Sequence, residues 1–538
     1  MESFLQLFGT MIAFTYHCFD RIVIRGYLSM LSRPEHIVYF FRDVLGIPCI
    51  TKEVLARRTV DYQNWVESYA RNHGIPIEWA EKDVRKEDRV RPFLKKAKRT
   101  QRFGVYFILK SMEQATTFRS VSPKFTTNDP DYRIIKKTRS RFTHYYFSIF
   151  DDVLGAMALR VGSFLPFQTT GYLNGHHFME RDCIRHGIAY RMHDNAFISV
   201  FDPSFLQRAS GRFTPERIRE RLEYWTFLLG PKFSKRESLA MGLRRYYFIS
   251  QVEWSSNVIF HRHFPIDRLF KRACECALAT VSADTISQFF GNRITRALSG
   301  KLHTTLDRIE QGHHVFRAYF KHAFVKQYEK LRTFLRIETC SNNLSDFHLK
   351  KALERLPEVK KVLHAVNDRF AGFQASTFNV HFDFPLFQRL ALPITAGSSR
   401  IPGIKIQDTR MVRLMEVLLQ AGNQIQGFTT TALHERVVKT YRLPEGAYSL
   451  TQLRYDLRKM KARALVIRNG HHYTYRLTHK GTKVSLMFVL FHKRVCGPLA
   501  NSLFHHKPTA APHSTNKLEK AFHKADASIQ DIVDLLAA

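Results

Sequence analysis

One short segment of the chain, residues 324–339, combines residue types that can act on a phosphodiester. Its alternation predicts a β-hairpin in which side chains two residues apart share a face of each strand. The candidate side chains on the two strands are Lys326, Tyr328, Lys330, Arg336 and Glu338. The phenol is a candidate nucleophile, the cations are candidate phosphate ligands, and the carboxylate is a candidate ligand for Mg²⁺ or Mn²⁺. The set predicts metal-dependent nicking or transfer of a DNA strand. The alternative is a basic hairpin with a structural Arg336–Glu338 pair.

Two histidines form a candidate metal site. His261 and His263 alternate within Ile259–Phe264, so on a β-strand their rings would share one face and chelate a cation. The chain has 26 histidines, so a pair with this spacing also arises by chance. A hydrogen-bonded or exposed pair without metal is the alternative.

A set of carboxylates predicts a different enzyme chemistry. Its members lie on successive predicted elements of the N-terminal half: Asp20, Asp151, Asp152, Glu180 and Asp182. If the fold brought them together they would bind two divalent ions, as in RNase H-like transposases. Aspartates at turns are also ordinary turn formers. His176, which follows Asn174-Gly175, is either part of a helix cap or a functional side chain.

The chain is strongly basic. Among its 538 residues, 83 lysines and arginines outnumber 47 aspartates and glutamates, and the formal net charge is +36. A positive field of this size attracts polyanions and speeds their encounter. One basic stretch has the spacing of an exposed helix face: Arg91, Lys95, Lys96 and Arg99. It predicts contacts with phosphates, and a merely solvated face is the alternative.

Other motifs and segments are missing from the sequence. No apolar run approaches the roughly 20 residues that span a bilayer. The chain has no P-loop, no dinucleotide-binding glycine motif, no serine-hydrolase elbow and no H-E-x-x-H zinc motif. Its seven cysteines are scattered, which is typical of reduced thiols in the cytosol. We expect a cytoplasmic, nucleoid-associated protein that binds DNA, with RNA as the alternative, and no membrane.

The C-terminal part has the pattern of a nucleic-acid-binding module. Apolar periodicity predicts helices over Met411–Gln420, over Thr430–Tyr441 and after Ser449, and Asn469-Gly470 predicts a two-residue hairpin turn. The residues expected on the outer face of the third helix are Gln452, Tyr455, Arg458, Lys459 and Arg463, while Ala464 is expected in the core. Those expected at or near the hairpin tip are Arg468, His471 and Arg476. Amide and guanidinium groups on such a helix can read base edges in a major groove.

Two resemblances follow from these residues. Asp408–Phe491 resembles the MarR-like winged-helix superfamily in the order helix, helix, helix, hairpin, helix, which implies duplex DNA binding. Residues 324–339 resemble the Y-[DE]-K and L-R-[VI]-E stretch of rolling-circle replication initiators of the plasmid Rep_trans type, and Phe290–Arg293 is similar to a G-S-R that precedes it there. The same stretch resembles a group of uncharacterised basic bacterial proteins. The second resemblance implies that Tyr328 is the nucleophile that nicks DNA.

We therefore predict an α+β multidomain protein, with a mixed sheet-containing body, helical insertions and a C-terminal winged helix. The predicted regions are 1–125, 126–213, 214–392, a linker at 393–407, the winged helix at 408–498 and a tail at 499–538. Residues 126–141 are predicted to form a loop. The expected function is that of a DNA-binding protein of a plasmid or mobile element, a replication initiator or a transposase- or recombinase-like protein. A non-catalytic RNA- or DNA-binding scaffold is the alternative.

Overall fold

The computed structural model describes residues 2–81, 84–123, 132–270, 304–308, 314–320, 323–378, 384–396, 399–419, 427–469 and 474–496, together with 524, 527 and 528. The described part is α+β, with a large mixed sheet and helices packed on it. None of the helices in this part of the chain combines the length and the apolar character that a membrane-spanning helix needs.

The body is built on a sheet of 11 strands. In chain order they are β1 (Ile12–Leu28), β2 (Ile77–Trp79), β3 (Gly104–Val121), β4 (Ile134–Asp151), β5 (Gly155–Gly162), β6 (Thr169–Leu173), β9 (Arg245–Phe260), β10 (Thr304–Arg308), β11 (His314–Phe320), β12 (Ala323–Leu331) and β13 (Phe334–Ser341). Their order across the sheet is β10-β11-β12-β13-β9-β1-β6-β5-β4-β3-β2. Only the β2–β3 pair is parallel among these neighbours. A separate hairpin is formed by β7 (Tyr190–His193) and β8 (Ala196–Val200).

The predicted regions 1–125, 126–213 and 214–392 share this one sheet. β3 of the first region pairs with β4 of the second region, and β1 of the first region pairs with β9 of the third region. β1 lies between β6 and β9, at the middle of the sheet, and most of its residues are buried. Strands covered on both faces become long apolar runs, which explains the sequence of β1. Polar side chains on β1 are therefore held in a buried setting.

Helices cover the sheet and share its core. Those of the body are α1 (Glu2–Phe8), α2 (Pro34–Tyr39), α3 (Lys52–His73), α4 (Lys86–Thr100), α5 (Gly175–Arg185), α6 (Pro203–Gly211), α7 (Pro215–Leu229), α8 (Lys235–Ala240), α9 (Leu356–Phe378) and α10 (Phe384–Ala391). A further helical segment is described from 264 to 270. Thr214 caps α7 through its side chain, as its place before Pro215 predicts.

The C-terminal part forms its own apolar core. Its helices are α11 (Thr409–Leu418), α12 (Thr430–Thr440), α13 (Leu450–Ala462) and α14 (His479–Phe491), and its hairpin is β16 (Val466–Asn469) with β17 (Thr474–Leu477). The element order is therefore helix, helix, helix, hairpin, helix. Leu433, Leu453 and Val484 lie in the core that these elements share. We refer to this part as the C-terminal unit.

Three local predictions differ from the structure. The expected linker at 393–407 contains a short hairpin, β14 (Ile394–Ala396) with β15 (Ser399–Ile401). Asn469 pairs with Thr474, so it lies in a strand, and the connection spans residues 470–473, outside the described residues. Ala464 is exposed because α13 ends at Ala462, so the helical spacing no longer applies to it. Nearly all of the tail at 499–538 also lies outside the described residues.

Candidate active centre on the sheet

The residues of the predicted hairpin lie side by side on β12 and β13. Tyr328 pairs with Arg336, and Lys326 pairs with Glu338. Directly opposed residues of antiparallel strands share a face, so these four side chains point to the same side of the sheet. Lys330 joins them through a hydrogen bond that its ammonium donates to the Asn195 side chain. The structure therefore confirms that the predicted catalytic residues share a face. We call these residues and their polar neighbours the Tyr328 centre.

Arg336 lies at the middle of this centre and is completely buried. Its N–H groups reach five acceptors, namely Asn257 Oδ1 at 2.6 Å, Asp20 Oδ1 at 3.2 Å, Glu338 Oε1 at 3.5 Å, His176 Nε2 at 3.2 Å and the Asn195 carbonyl at 2.6 Å. An arginine has five N–H donors, so none remains for a substrate phosphate. The role expected from the sequence, that of a phosphate ligand, does not fit this geometry. Arg336 instead positions the groups around it.

Asp20 reaches the centre because β1 carries a bulge at this point. Phe19 pairs with Trp254 and Arg21 pairs with Glu253, which leaves Asp20 as the extra residue between them. A bulge redirects one side chain without ending the strand. Burial favours the neutral acid, but the Arg336 guanidinium and His176 outweigh it and lower the pKa of Asp20. Asp20 is therefore a carboxylate beside Arg336.

His176 enters the centre from the first turn of α5. Asn174 caps this helix by accepting the His176 backbone N–H at 2.8 Å. A Cβ on Gly175 would lie 2.6 Å from the Phe19 carbonyl oxygen, so glycine is what lets the helix approach β1 so closely. Burial and the Arg336 guanidinium lower the pKa of His176 to about 4. Because Arg336 only donates, His176 Nε2 accepts and the ring proton is on Nδ1, 3.2 Å from Asp20.

Tyr328 donates its phenolic hydrogen to Glu338 Oε1 at 2.9 Å. Burial and the Glu338 carboxylate raise the pKa of Tyr328, so the phenol is protonated at neutral pH. Burial and Asp20 also raise the pKa of Glu338, although Lys326 and Arg336 oppose that shift. Tyr328 is half-buried while Glu338 is completely buried, so the phenol lies between the carboxylate and the outside. A carboxylate with a raised pKa, placed at a phenol, is suited to accept its proton.

The two lysines of the centre differ in their protonation behaviour. Burial lowers the pKa of Lys330 to about 8, and the Arg336 guanidinium adds to that shift. The pKa of Lys326 is raised, because the effects of Cys340, Glu338 and other neighbours exceed that of burial. Lys326 therefore remains a fixed cation, while Lys330 can release and take up a proton near neutral pH.

The expected metal ion does not fit this set of donors. Within the described residues, one group has the spacing of a metal site, namely Glu253, Glu338 and Cys340, whose ligand atoms lie within 4.8 Å of one another. The Lys326 ammonium already forms an ion pair with Glu338 Oε2 and lies 3.9 Å from Glu253 Oε2. Burial raises the pKa of the Cys340 thiol, so binding of a metal ion here would also have to release the thiol proton. The Lys326 ammonium thus lies beside the carboxylates that a divalent cation would have to contact.

The predicted histidine pair is not arranged as expected. β9 ends at Phe260, so His261 and His263 do not alternate on a strand. His261 is exposed, whereas His263 lies between two carboxylates, 3.1 Å from Asp267 and 3.0 Å from Glu329. The chain bends at 261–263 before the helical segment that begins at 264, and this bend places the two histidine rings in different surroundings. The shared-face geometry proposed for a metal pair is absent.

The alternative carboxylate set is also dispersed. Asp151 and Asp152 pair with Arg221. Glu180 pairs with Lys98, and Asp182 pairs with Arg212. Of this set, Asp20 alone lies in the Tyr328 centre, and within the described residues the set does not form a two-metal site.

The third helix of the C-terminal unit, α13, has a smaller outer face than expected. Gln452, Tyr455 and Arg458 are exposed as predicted. Lys459 and Arg463 are buried, which corrects their assignment to that face. Helical spacing alone could not show that another segment covers this side of the helix.

The contacts of the two buried cations explain their position. Arg463 donates to the carbonyls of Leu392 at 2.8 Å and Pro402 at 3.0 Å, and so ties the 393–407 segment to α13. Lys459 lies 3.9 Å from Asp408 and 5.0 Å from the centre of the Tyr455 ring. In the hairpin, Arg468 is exposed and Arg476 is half-buried, while His471 lies outside the described residues.

The basic helix predicted from the sequence is α4. Four of its cations are exposed and form no ion pair within the described residues, namely Arg91, Lys95, Lys96 and Arg99. Lys98, on the other side of the helix, pairs with Glu180 and joins α4 to α5. One face of α4 thus holds the helix on the body, and the other presents unpaired positive charge.

Several residues of the Tyr328 centre were not predicted, among them Asn195, Asn257 and Glu253. Asn195 follows Asp194, which has a left-handed backbone with φ of 50°, at the β7–β8 turn. Two adjacent turn-forming residues could have indicated the turn. These two residues could not have shown that the turn lies beside Arg336 on β13.

Comparison of the chain with protein-family models, with curated proteins and with solved structures finds no match.

Proposed function

We propose that this chain is a DNA-binding protein whose Tyr328 centre cleaves and rejoins a phosphodiester of the bound strand. The observation that carries the proposal is the hydrogen bond from Tyr328 to Glu338, with Lys326 and Lys330 on the same strand face. The +36 charge, the free cations of α4 and the exposed face of α13 provide surfaces for the polyanion. A role at a plasmid or mobile element is a prediction from the sequence resemblance.

The chemistry follows from the contacts of these residues. Tyr328 Oη attacks phosphorus and forms a phosphotyrosine bond, and its proton passes to Glu338. The bond from phosphorus to the leaving nucleotide oxygen breaks, and the Lys330 ammonium gives that oxygen a proton. Lys326 holds Glu338 in place and neutralises charge near the reacting phosphate. Reversal of these steps rejoins the strand, so no oxidant or nucleotide cofactor is required.

Nicking of supercoiled and single-stranded DNA tests the proposal. We expect a nick with the native protein in the presence of a chelator, because Lys326 supplies the local cation. Tyr328→Phe should reduce nicking to background. Tyr146→Phe is a matched control, because Tyr146 also donates to a carboxylate, Glu113, that is held by a lysine and an arginine. Nicking that survives Tyr328→Phe, or that appears only with Mg²⁺ or Mn²⁺, contradicts the proposal.

The pH profile of nicking tests the role of Lys330. The general acid must be protonated, and the pKa of Lys330 is about 8. We therefore expect the rate to fall as the pH rises above about 8. Lys330→Arg should move this fall to higher pH, since arginine keeps its proton. If the fall in nicking rate at high pH is unchanged in Lys330→Arg, Lys330 is not the general acid.

A non-catalytic nucleic-acid-binding scaffold is the second candidate. It is favoured by the complete burial of Arg336 and Glu338 and by the ion pairs that two cations, Lys326 and Arg336, form with three carboxylates of the centre. In that case the centre joins β1, β9, β12 and β13, and no DNA is cleaved. DNA binding by the native chain without any nicking is the outcome that distinguishes this candidate.

A further inference from the structure

A large cleft surrounds the end of the ribbon formed by β1 and β9. Its volume is about 1040 Å³, and β1, β9, α7 and the segment before α9 line it. The ribbon ends where Gly26 pairs with Tyr247 and Tyr27 with Tyr246. Asp20 of the Tyr328 centre lies six residues from Gly26, which is about 20 Å along a strand. The cleft and the Tyr328 centre are therefore separated along β1 by a distance that an extended polymer can span.

The cleft is lined mainly by cations. Seven lysines and arginines line it, against two glutamates. Arg219 forms an ion pair with Glu354. The other cations have no ion-pair partner within the described residues: Arg25, Lys137, Lys232, Arg244, Arg245 and Lys351. A concave surface with this excess of one sign concentrates the opposite charge, and here it attracts an anionic ligand.

Arg245 provides an independent indication of an anionic ligand. Its Nη1 atom is buried and has no hydrogen-bond partner within the described residues. Burial lowers the pKa of Arg245, which shows the cost of holding this cation away from water. Its side chain lies over Gly26, where a Cβ would come within 3.3 Å of Arg245 Cδ and 2.5 Å of Thr169 Oγ1. A buried guanidinium N–H without an acceptor in the chain needs an oxygen from outside it, which a phosphate or a water molecule can supply.

Aromatic rings stand beside these cations. Tyr27 and Tyr246 form a tilted pair with ring centres 5.8 Å apart, and Tyr246 is 46% exposed. Phe227 on α7 is 81% exposed, and Lys232 lies 5.1 Å from the centre of its ring. Flat rings with free faces accept nucleobases by stacking, and the neighbouring cations hold the phosphates. Rings for stacking beside cations favour a nucleic-acid strand, rather than a simple anion, as the ligand of the cleft.

We propose that this cleft binds a single strand of nucleic acid, with phosphates at Arg245 and Lys351 and a base on Tyr246. Duplex DNA does not expose base faces, so stacking of this kind requires an unpaired strand. The inference deepens the proposed function and rests on it in one respect, that the strand continues towards Tyr328. The binding itself does not require cleavage.

Fluorescence anisotropy with the full chain tests the cleft, using labelled oligodeoxyuridine and oligouridine of equal length. Tyr246→Ala should weaken binding about ten-fold or more, because a stacking surface is lost. Lys351→Ala should weaken binding and reduce the slope of log affinity against log salt by about 0.7. Tyr224→Ala and Lys350→Ala are the matched controls, as both residues are exposed and neither lines the cleft. Both controls should bind as the native chain does.

The outcomes separate the cleft from the nicking centre. The ratio of the two affinities identifies the preferred sugar, because the two oligonucleotides carry the same base. If Tyr246→Ala and Lys351→Ala bind as tightly as their controls, the cleft proposal is wrong, whatever the nicking assay shows. If these two variants bind weakly and the native chain does not nick DNA, the cleft proposal is supported and the cleavage proposal is contradicted. Both exposed positions can be changed without disturbing the buried Arg245.

Discussion

Arg336 determines the geometry of the centre at the scale of single residues. It fixes Asp20, His176 and Glu338 at once, and Glu338 in turn receives the Tyr328 phenol. The spacing of Arg336 and Glu338 in the sequence predicted that they share a face of one strand, and the register of β12 with β13 adds Tyr328 to that face. The bulge that inserts Asp20, and the turn that places Asn195, depend on strands far apart in the chain and could not be predicted from it.

Removing the guanidinium should strongly destabilise the protein. Arg336→Met leaves the buried carboxylates of Asp20 and Glu338 without their main cation, and breaking a buried ion pair in this way costs about 3–5 kcal/mol. We expect the free energy of unfolding in urea to fall by that amount. Arg208→Met, which removes an exposed pairing with Asp202, is the comparison and should cost less. A loss below about 1 kcal/mol for Arg336→Met would contradict the central role of this residue.

At the scale of elements, local patterns predicted hairpins and helices well where one face is apolar. The β4–β5 hairpin closes at Asp151 and Gly155, and α7 begins after Thr214, both as expected. Residues 126–141 were predicted to form a loop, yet β4 begins at Ile134 and pairs with β3. The ribbon there is exposed and basic at Lys136 and other positions, so it lacks the apolar alternation that identifies a strand.

The attachment of the 393–407 segment to α13 leads to an element-scale prediction. Arg463→Ala removes the donors to the Leu392 and Pro402 carbonyls, and a typical hydrogen bond within a protein contributes about 0.5–1.5 kcal/mol. We expect lower stability of the C-terminal unit in urea and faster proteolysis within 393–407. Arg458→Ala, on the exposed side of the same helix, should change stability by less than about 0.5 kcal/mol. Equal effects of the two substitutions would show that Arg463 does not anchor the segment.

At the scale of the whole molecule, positive charge is spread over three surfaces of different character. The face of α4 carries cations without exposed aromatic rings, the cleft combines both, and α13 adds an exposed glutamine to its cations. Composition alone predicted a polyanion partner. Composition could not show which surface each cation belongs to. Strand order and helix packing decide which cations become neighbours and which form internal ion pairs.

Duplex binding should respond differently to two of these surfaces. Arg458→Ala should reduce the preference for a specific duplex site, as expected for a side chain at base edges. Lys96→Ala should weaken binding to all duplexes equally and lower the salt slope by about 0.9. Arg400→Ala, an exposed change of the same charge on β15, is the control. The preference is measured as the ratio of affinities for a site selected from random DNA and for unrelated duplexes. If this ratio is unchanged in Arg458→Ala, α13 is not the recognition helix.

The most direct test of the account is to capture the covalent intermediate. The native chain is incubated with a labelled single strand in chelator, denatured and digested, and the labelled peptide is identified by mass spectrometry. We predict a nucleotide attached to Tyr328, no adduct with Tyr328→Phe, and an unchanged adduct with Tyr146→Phe. The absence of any adduct from a chain that binds the strand, or an adduct on another residue, would contradict the assignment of Tyr328 as the nucleophile.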